Sequence, residues 1–199
     1  TRLRENDKKY VNIMYERVKK IAEAASMMAN VDYEMELISG IYEILPNRFG
    51  AGIIQNNFEL LGEIKYTDSE IDYANTILKE TGKELKGLDG TIKPLRPTLP
   101  ATGGSTDVGD VSQVVPVVRL RTTTAAKDGP WHSWAVVACG GMSIGHKGTI
   151  YAAKAMAITM SDLYRNEKLI KEITQEYKDR KGDEVYEAMI DGPAPIDVN

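Results

Sequence analysis

The sequence predicts an α/β or α+β fold in two unequal parts, residues 1–45 and 46–199. Three observations carry that expectation. The hydrophobic period changes from steps of three and four over Glu5–Ala29 to strict alternation over Val31–Leu37. A Gly-, Pro- and Thr-rich stretch over 82–112, with no sustained period, interrupts the chain. Beyond it, short β-like runs precede a long helix rich in alanine and methionine.

In chain order, "TRLR" reads as the end of a strand. Val11, Met14, Tyr15, Val18, Ile21, Ala22, Ala25 and Met28 then mark one face of a long amphipathic helix, with Asn30 as its stop. Val31, Tyr33, Met35 and Leu37 alternate with Asp32, Glu34 and Glu36, as on a strand with one buried and one wet face. The order strand, helix, strand suggests a β-α-β unit, and the opening suggests a chain that starts within something larger. Pro46 breaks the pattern, and a helix follows from about Arg48 to Leu61. Thr67 and Glu70 form a capping box that opens the next helix, which ends near Gly82. The 82–112 stretch is read as the junction between two units and as a site region. "VSQVVPVVRLRTTTA" and "SWAVVACG" read as strands, the first at an edge because of Pro116. A helix is expected over Lys147–Tyr164, with Ile150, Ala153, Met156, Ala157, Met160 and Tyr164 as its buried stripe, and another over Asn166–Lys181. The tail "DGPAPIDVN" is expected to be extended.

The net charge of −4, with basic residues interleaved among acids, argues against a nucleic-acid surface. No apolar run approaches the roughly 18 residues of a membrane span. One cysteine cannot form an intrachain disulfide, so a reducing compartment, the cytoplasm, is the expected setting. Cys139 itself, within a β-like apolar run, reads as a small buried hydrophobe rather than a nucleophile.

Both histidines lie in one glycine-rich bend, Gly129–Gly148. His132 follows a Gly-Pro turn and stands between Trp131 and Trp134. It reads either as an imidazole packed between aromatics or as a ligand for zinc or manganese. His146 opens the long helix, as a helix-terminal donor to a carbonyl or as a substrate contact. In "GGSTDVGDVS", Asp107 and Asp110 sit three apart among glycines, which fits an Asx-type turn or carboxylates that orient a metal ligand. Arg119 and Arg121 share one side of an extended run, where they would pair with acids or hold a substrate carboxylate.

The order of these blocks, "GGSTDVGDVS", "VVPVVRLRT", "GPWHSW" and then "HKG" opening an Ala/Met helix, resembles the aminoacylase, carboxypeptidase and amidohydrolase superfamily of dinuclear metallohydrolases. The resemblance extends to "YERVKKIAEAASMMANVDYEMELISGIYEILPN" and so covers essentially the whole chain. It implies that residues 1–45 are the C-terminal half of a ferredoxin-like α+β lid and dimerisation domain. Residues 46–199 would be the C-terminal part of a mixed-sheet α/β metallopeptidase catalytic domain. It implies amide hydrolysis of acyl- or aminobenzoyl-glutamate conjugates by water activated between two divalent ions, zinc or manganese. His132 would be a metal ligand. Asp107, Asp110, His146 and Lys147 would be substrate-binding or outer-shell residues.

The resemblance also implies more than this chain holds. A dinuclear site takes about five protein ligands and a base, which the superfamily draws largely from His-x-Asp and Glu-Glu motifs. Neither motif occurs here, and there are only two histidines. A missing N-terminal half or a partner chain would have to supply the remaining ligands, and the chain alone is expected to be inactive. The partners expected are a small amide or dipeptide-like substrate and a second copy joined through the lid. A non-catalytic dimerisation or binding module built on the same fold is the competing expectation.

Overall fold

The computed structural model describes residues 2–96 and 104–190. Its regular elements among these residues are seven helices: α1 (Lys8–Ala29), α2 (Arg48–Leu61), α3 (Asp68–Glu80), α4 (Val108–Val114), α5 (Trp134–Gly140), α6 (Ser143–Arg165) and α7 (Glu167–Lys181). The described residues contain no strand, so the mixed α/β fold and its ferredoxin-like lid are corrected to an all-helical architecture. The alternating segment 31–37 forms no ladder with any described residue. Alternation reports which side of an extended segment is apolar; a strand also needs a neighbour to accept its backbone hydrogen bonds. Segments 2–4 and 115–124 are likewise without a ladder.

The run 134–140, read as a strand, is a helix, and so are the first four residues of the run 111–125. In α5, Ser133 caps the start by accepting from Ala135 N at 3.3 Å, and the buried Ala135 and Cys139 are four residues apart, one face of a helix. In α4, contacts made far along the chain override the β preference of its valines. A Cβ on Gly109 would stand 1.9 Å from the Tyr42 carbonyl oxygen. The hydroxyl of Ser112 donates to Gly109 O at 2.6 Å and accepts from Leu45 N at 2.9 Å.

The other helices begin and end on local chemistry. Asp7 accepts from Lys9 N at the start of α1, and Asn30 closes it in the left-handed region at φ 51° while Val31 N returns to Ser26 O at 3.1 Å. The Asn47 side chain accepts from Gly50 N at 2.8 Å to open α2, and the Glu176 carboxylate accepts from Arg48 N and Phe49 N at 3.0 and 2.7 Å. The Thr67–Glu70 capping box opens α3. The expected tail over 191–199 lies outside the described residues.

The chain divides into two compact units, one of residues 1–46, 98–117 and 177–199, the other of 47–97 and 118–176. In the first, α4 is stitched to the extended segment around Tyr42: Gln113 Nε2 donates to Glu43 O at 3.0 Å, and Tyr177 OH donates to Gln113 O at 2.9 Å. Helix α1 has no buried residue; its predicted face is half-covered at Val11, Met14, Tyr15, Val18 and Ala22, while Ile21 and Met28 are exposed.

The second unit has a core of Ala74, Ile77, Leu78, Ala126, Ala135, Cys139 and Ile144. Helix α6 packs on α2: Asn57 Nδ2 donates to Thr159 Oγ1 and Asp162 Oδ2 at 3.0 and 2.9 Å, and Tyr151 OH donates to Gly62 O at 2.7 Å. The inward face of α6 is therefore Ile144, Gly148, Ala155 and Thr159. The stripe expected to be buried, Ile150, Ala153, Met156, Ala157, Met160 and Tyr164, is the exposed face, which corrects that reading. Small and hydroxyl side chains allow the close approach to α2.

Candidate functional site

The turn before α5 is held by Ser133, whose hydroxyl donates to Pro130 O at 2.6 Å while accepting from Ala135 N. This places His132 in the left-handed region at φ 58°, a conformation unusual for a residue with a Cβ. Its side chain is exposed, and so are Trp131 at 69% and Trp134 at 55%. The tryptophans leave the imidazole open to solvent rather than enclosing it.

His146 is exposed in the first turn of α6, where its backbone N–H donates to Met142 O at 3.1 Å. Its glycine neighbours have a packing purpose. A Cβ on Gly145 would lie 2.2 Å from Gly140 O, and one on Gly148 would lie 2.2 Å from Thr123 O. Both glycines let the start of α6 sit against backbone, and the helix presents His146 outward between them.

Lys147 turns the other way. Its ammonium donates to Glu70 Oε2 at 2.6 Å and to Lys65 O at 3.0 Å, and lies 5.6 Å from the centre of the Tyr66 ring. Glu70, 7% exposed, accepts also from Ser143 Oγ at 2.6 Å and from Thr67 N at 2.7 Å. The hydrogen bonds from Lys147 and Ser143 outweigh burial and pull the Glu70 carboxyl down to about 2. Burial, and then the negative charge of Glu70, push the Tyr66 hydroxyl up to about 12. Sequence reasoning assigned Glu70 only to the capping box; its second role has a faint signal in Ser143 and Lys147, which stand four apart at the start of one helix.

Asp107 is exposed at the start of α4, and its side chain makes no capping bond there. Asp110 accepts from Tyr186 OH at 3.1 Å and from Tyr42 N at 3.4 Å, and the Tyr42 and Tyr186 rings meet at 5.1 Å. The two aspartates lie in the first unit; His132, His146 and Lys147 lie in the second. The described residues contain no group of three His, Cys, Asp or Glu placed to hold a metal ion.

Within 82–96, Gly87 is buried and residues 88–90 are half-buried, while residues 82–86 and 93–96 are exposed. Ile64 N donates to Gly90 O at 3.0 Å. Asp89 gathers Lys93 at 2.9 Å and Lys127 at 3.1 Å, and its carboxyl is held well below the usual range by the Thr91 hydroxyl first and then by these two ammonium groups. Arg119 and Arg121 are both exposed, with no ion-pair partner among the described residues. Cys139 is fully buried in the core of its unit. None of the described helices is long and apolar enough to cross a membrane.

No family model matches the sequence. No solved structure matches it either. A curated protein does: a subunit of p-aminobenzoyl-glutamate hydrolase from Escherichia coli (strain K12) is 30% identical over 193 residues, a match that takes in 84% of this chain. The chain spans 40% of that relative's length. With identity of this level along most of its residues, the chain is a homologue of that p-aminobenzoyl-glutamate hydrolase subunit and corresponds to a part of it.

Proposed function

We propose that the chain is part of an amidohydrolase that cleaves the amide bond of acyl- or aminobenzoyl-glutamate conjugates. The similarity to the p-aminobenzoyl-glutamate hydrolase of E. coli carries this reading. In it, His132 would supply one imidazole nitrogen to a centre of two divalent ions, zinc or manganese, whose chemistry would be the activation of water. The described residues do not fit such a centre by themselves, since no three ligating side chains converge. The other ligands and the base come from polypeptide outside this chain, and the 199 residues alone are inactive.

The chain's own contributions are positional. The Ser133 hydroxyl fixes the turn that presents His132 to solvent, where a ligand on another segment has access. Arg119 and Arg121, exposed and without an ion-pair partner among the described residues, are suited to hold the carboxylates of a glutamate moiety bidentately. His146, exposed in the first turn of α6, serves in this reading as a substrate contact. Lys147 is committed to Glu70, which makes it a support for α6 rather than a direct substrate contact. Asp107 stays in the reading as an outer-shell residue, and Asp110 as one that shapes the segment around Tyr42. The first unit carries the dimer contact.

The experiment is a comparison of three samples: the chain alone, the chain with the rest of the family's length, and that second sample carrying His132→Ala. Calorimetric titration with zinc and manganese and hydrolysis of p-aminobenzoyl-glutamate are measured on each. The reading requires metal binding and hydrolysis only in the second. Losing His132 should lower metal affinity by more than the ~10–100-fold typical of an outer-shell partner. The absence of any converging ligand set among the described residues favours one other reading, a non-catalytic binding module. That module wins if the completed protein is inert and His132→Ala changes nothing.

A further inference from the structure

We propose that Trp131 and Trp134 form the subsite that holds the aryl ring of the substrate's acyl group, and so set a preference for aroyl- over aliphatic acyl-glutamates. This rests on the proposed function, in which His132 stands at the reacting centre.

Both tryptophans of the chain flank this one imidazole. Each is more than half exposed, and neither indole has a ring, cation or hydrogen-bond partner among the described residues. The segment that carries them is nevertheless fixed at both ends. Ahead of it, Gly129 N donates to Ala126 O at 3.2 Å, and Ala126 belongs to the core of its unit. After it, α5 is seated through the buried Ala135 and Cys139. Between them the Ser133 hydroxyl closes the turn on Pro130 O. This frame holds His132 in the left-handed region at φ 58°. Strain of that kind persists only where the surroundings impose it, and it clusters at functional sites. Two indoles and an imidazole are thus presented on one pre-organised turn, which spares a ligand the cost of ordering them.

The chemistry of the substrate selects the occupant. In an aminobenzoyl-glutamate conjugate the carbonyl carbon of the scissile amide is bonded to the ring itself, so the ring begins about 1.5 Å from the carbon that water attacks. A centre that includes His132 therefore has that ring beside it. Trp131 and Trp134 lie one and two positions from His132, with Cα atoms at most about 4 and 8 Å from its own. Indoles bind such a ring by offset stacking or edge-to-face contact. The other side of the amide, the glutamate, carries two carboxylates, which an indole does not satisfy and for which Arg119 and Arg121 are the suited groups.

The test uses the completed enzyme and compares p-aminobenzoyl-glutamate with acetyl-glutamate, whose acyl group has no ring. Trp131→Leu and Trp134→Leu should each lower kcat/KM for the aromatic substrate about two- to tenfold more than for the aliphatic one. Trp131→Phe and Trp134→Phe, which keep a ring, should retain most of the preference. A second measurement is independent of turnover. In the metal-free protein labelled with 5-fluorotryptophan, p-aminobenzoate should shift the fluorine signals of Trp131 and Trp134, assigned from the Phe variants, while glutamate shifts neither. Should a Leu variant lose the fold, the Phe variants and the fluorine shifts decide. Equal losses on the two substrates, or signals indifferent to p-aminobenzoate because other polypeptide covers the indoles, overturn the subsite and leave the hydrolase reading intact. Shifts without hydrolysis of either substrate sink the hydrolase reading and leave the aryl site standing.

Discussion

Glu70 Oε2 and Lys147 Nζ lie 2.6 Å apart, and the pair ties the capped start of α3 to the first turns of α6. The Glu70 carboxylate accepts from an ammonium, a hydroxyl and a backbone amide, so its charge is well used where it is buried. Glu70→Gln keeps the shape and removes the charge, and should cost about 1.5–3 kcal/mol, the range for hydrogen bonds to a charged group. Urea unfolding at neutral pH measures it.

The same carboxylate makes stability depend on acid. Its folded value, about 2, is below the ordinary value of 4.5. The folded state therefore binds the proton less readily than the unfolded state. The stabilisation is complete above about 4.5 and is lost as pH falls towards 2. Between those limits the wild-type thermal midpoint should fall more steeply than that of Glu70→Gln. Parallel curves would show that Lys147 and Ser143 do not hold the charge.

Two glycines should respond in opposite directions to alanine. At Gly145 a Cβ would meet the backbone oxygen of Gly140 at 2.2 Å, and backbone cannot step aside as a side chain can. Gly145→Ala should cost roughly 1–3 kcal/mol, as overpacking does. Gly52, inside α2, has nothing within 4 Å of its would-be Cβ. Gly52→Ala should stabilise by about 0.5–1 kcal/mol through helix propensity. Denaturant midpoints of the two variants, displaced to opposite sides of wild type, are the check.

Asp110 joins Tyr42 N and Tyr186 OH. Asp110→Ala should therefore loosen the segment around Tyr186, seen as faster hydrogen exchange over residues 185–190. A residue that served only a distant centre would leave that exchange unchanged. Asp107→Ala is the internal control, since its side chain caps nothing and no such change is expected.

These contacts also mark where sequence reasoning reached and where it stopped. The stop of α1 at Asn30, the capping box of α3 and the spans of α2 and α7 depend on neighbours a few residues away, and they were legible. The runs 108–114 and 134–140 were not. Short apolar runs rich in valine satisfy a strand and a helix alike, and Gly109 against Tyr42 or Cys139 in the core decides between them at long range. Periodicity located an apolar stripe on α6 and wrongly took it as the buried one, because local spacing does not show which side of the helix meets α2. Lys147 was assigned through the resemblance as a substrate-binding or outer-shell residue, and its acceptor, Glu70, is 77 positions away, beyond the reach of a local pattern. His132 and the two aspartates could be nominated by chemistry, while the separation of Asp107 and Asp110 from His132 into different units is a property of the folded chain.

The backbone at His132 offers a way to remove the imidazole without weakening the fold. At φ 58° a residue with a Cβ carries a cost of roughly 1–2 kcal/mol that glycine does not. Glycine also loses more chain entropy on folding, by about 0.4–1 kcal/mol relative to alanine. The two terms oppose, with the first the larger, and the exposed ring contributes little packing. His132→Gly should therefore leave the chain as stable as wild type or up to about 1.5 kcal/mol more stable, whereas His132→Ala gains nothing. If the imidazole is a metal ligand, both variants lose metal affinity in the completed enzyme to the same degree despite differing in stability. Loss of affinity in His132→Ala with retention in His132→Gly would instead trace the effect to the turn, and His132 would then be a structural residue.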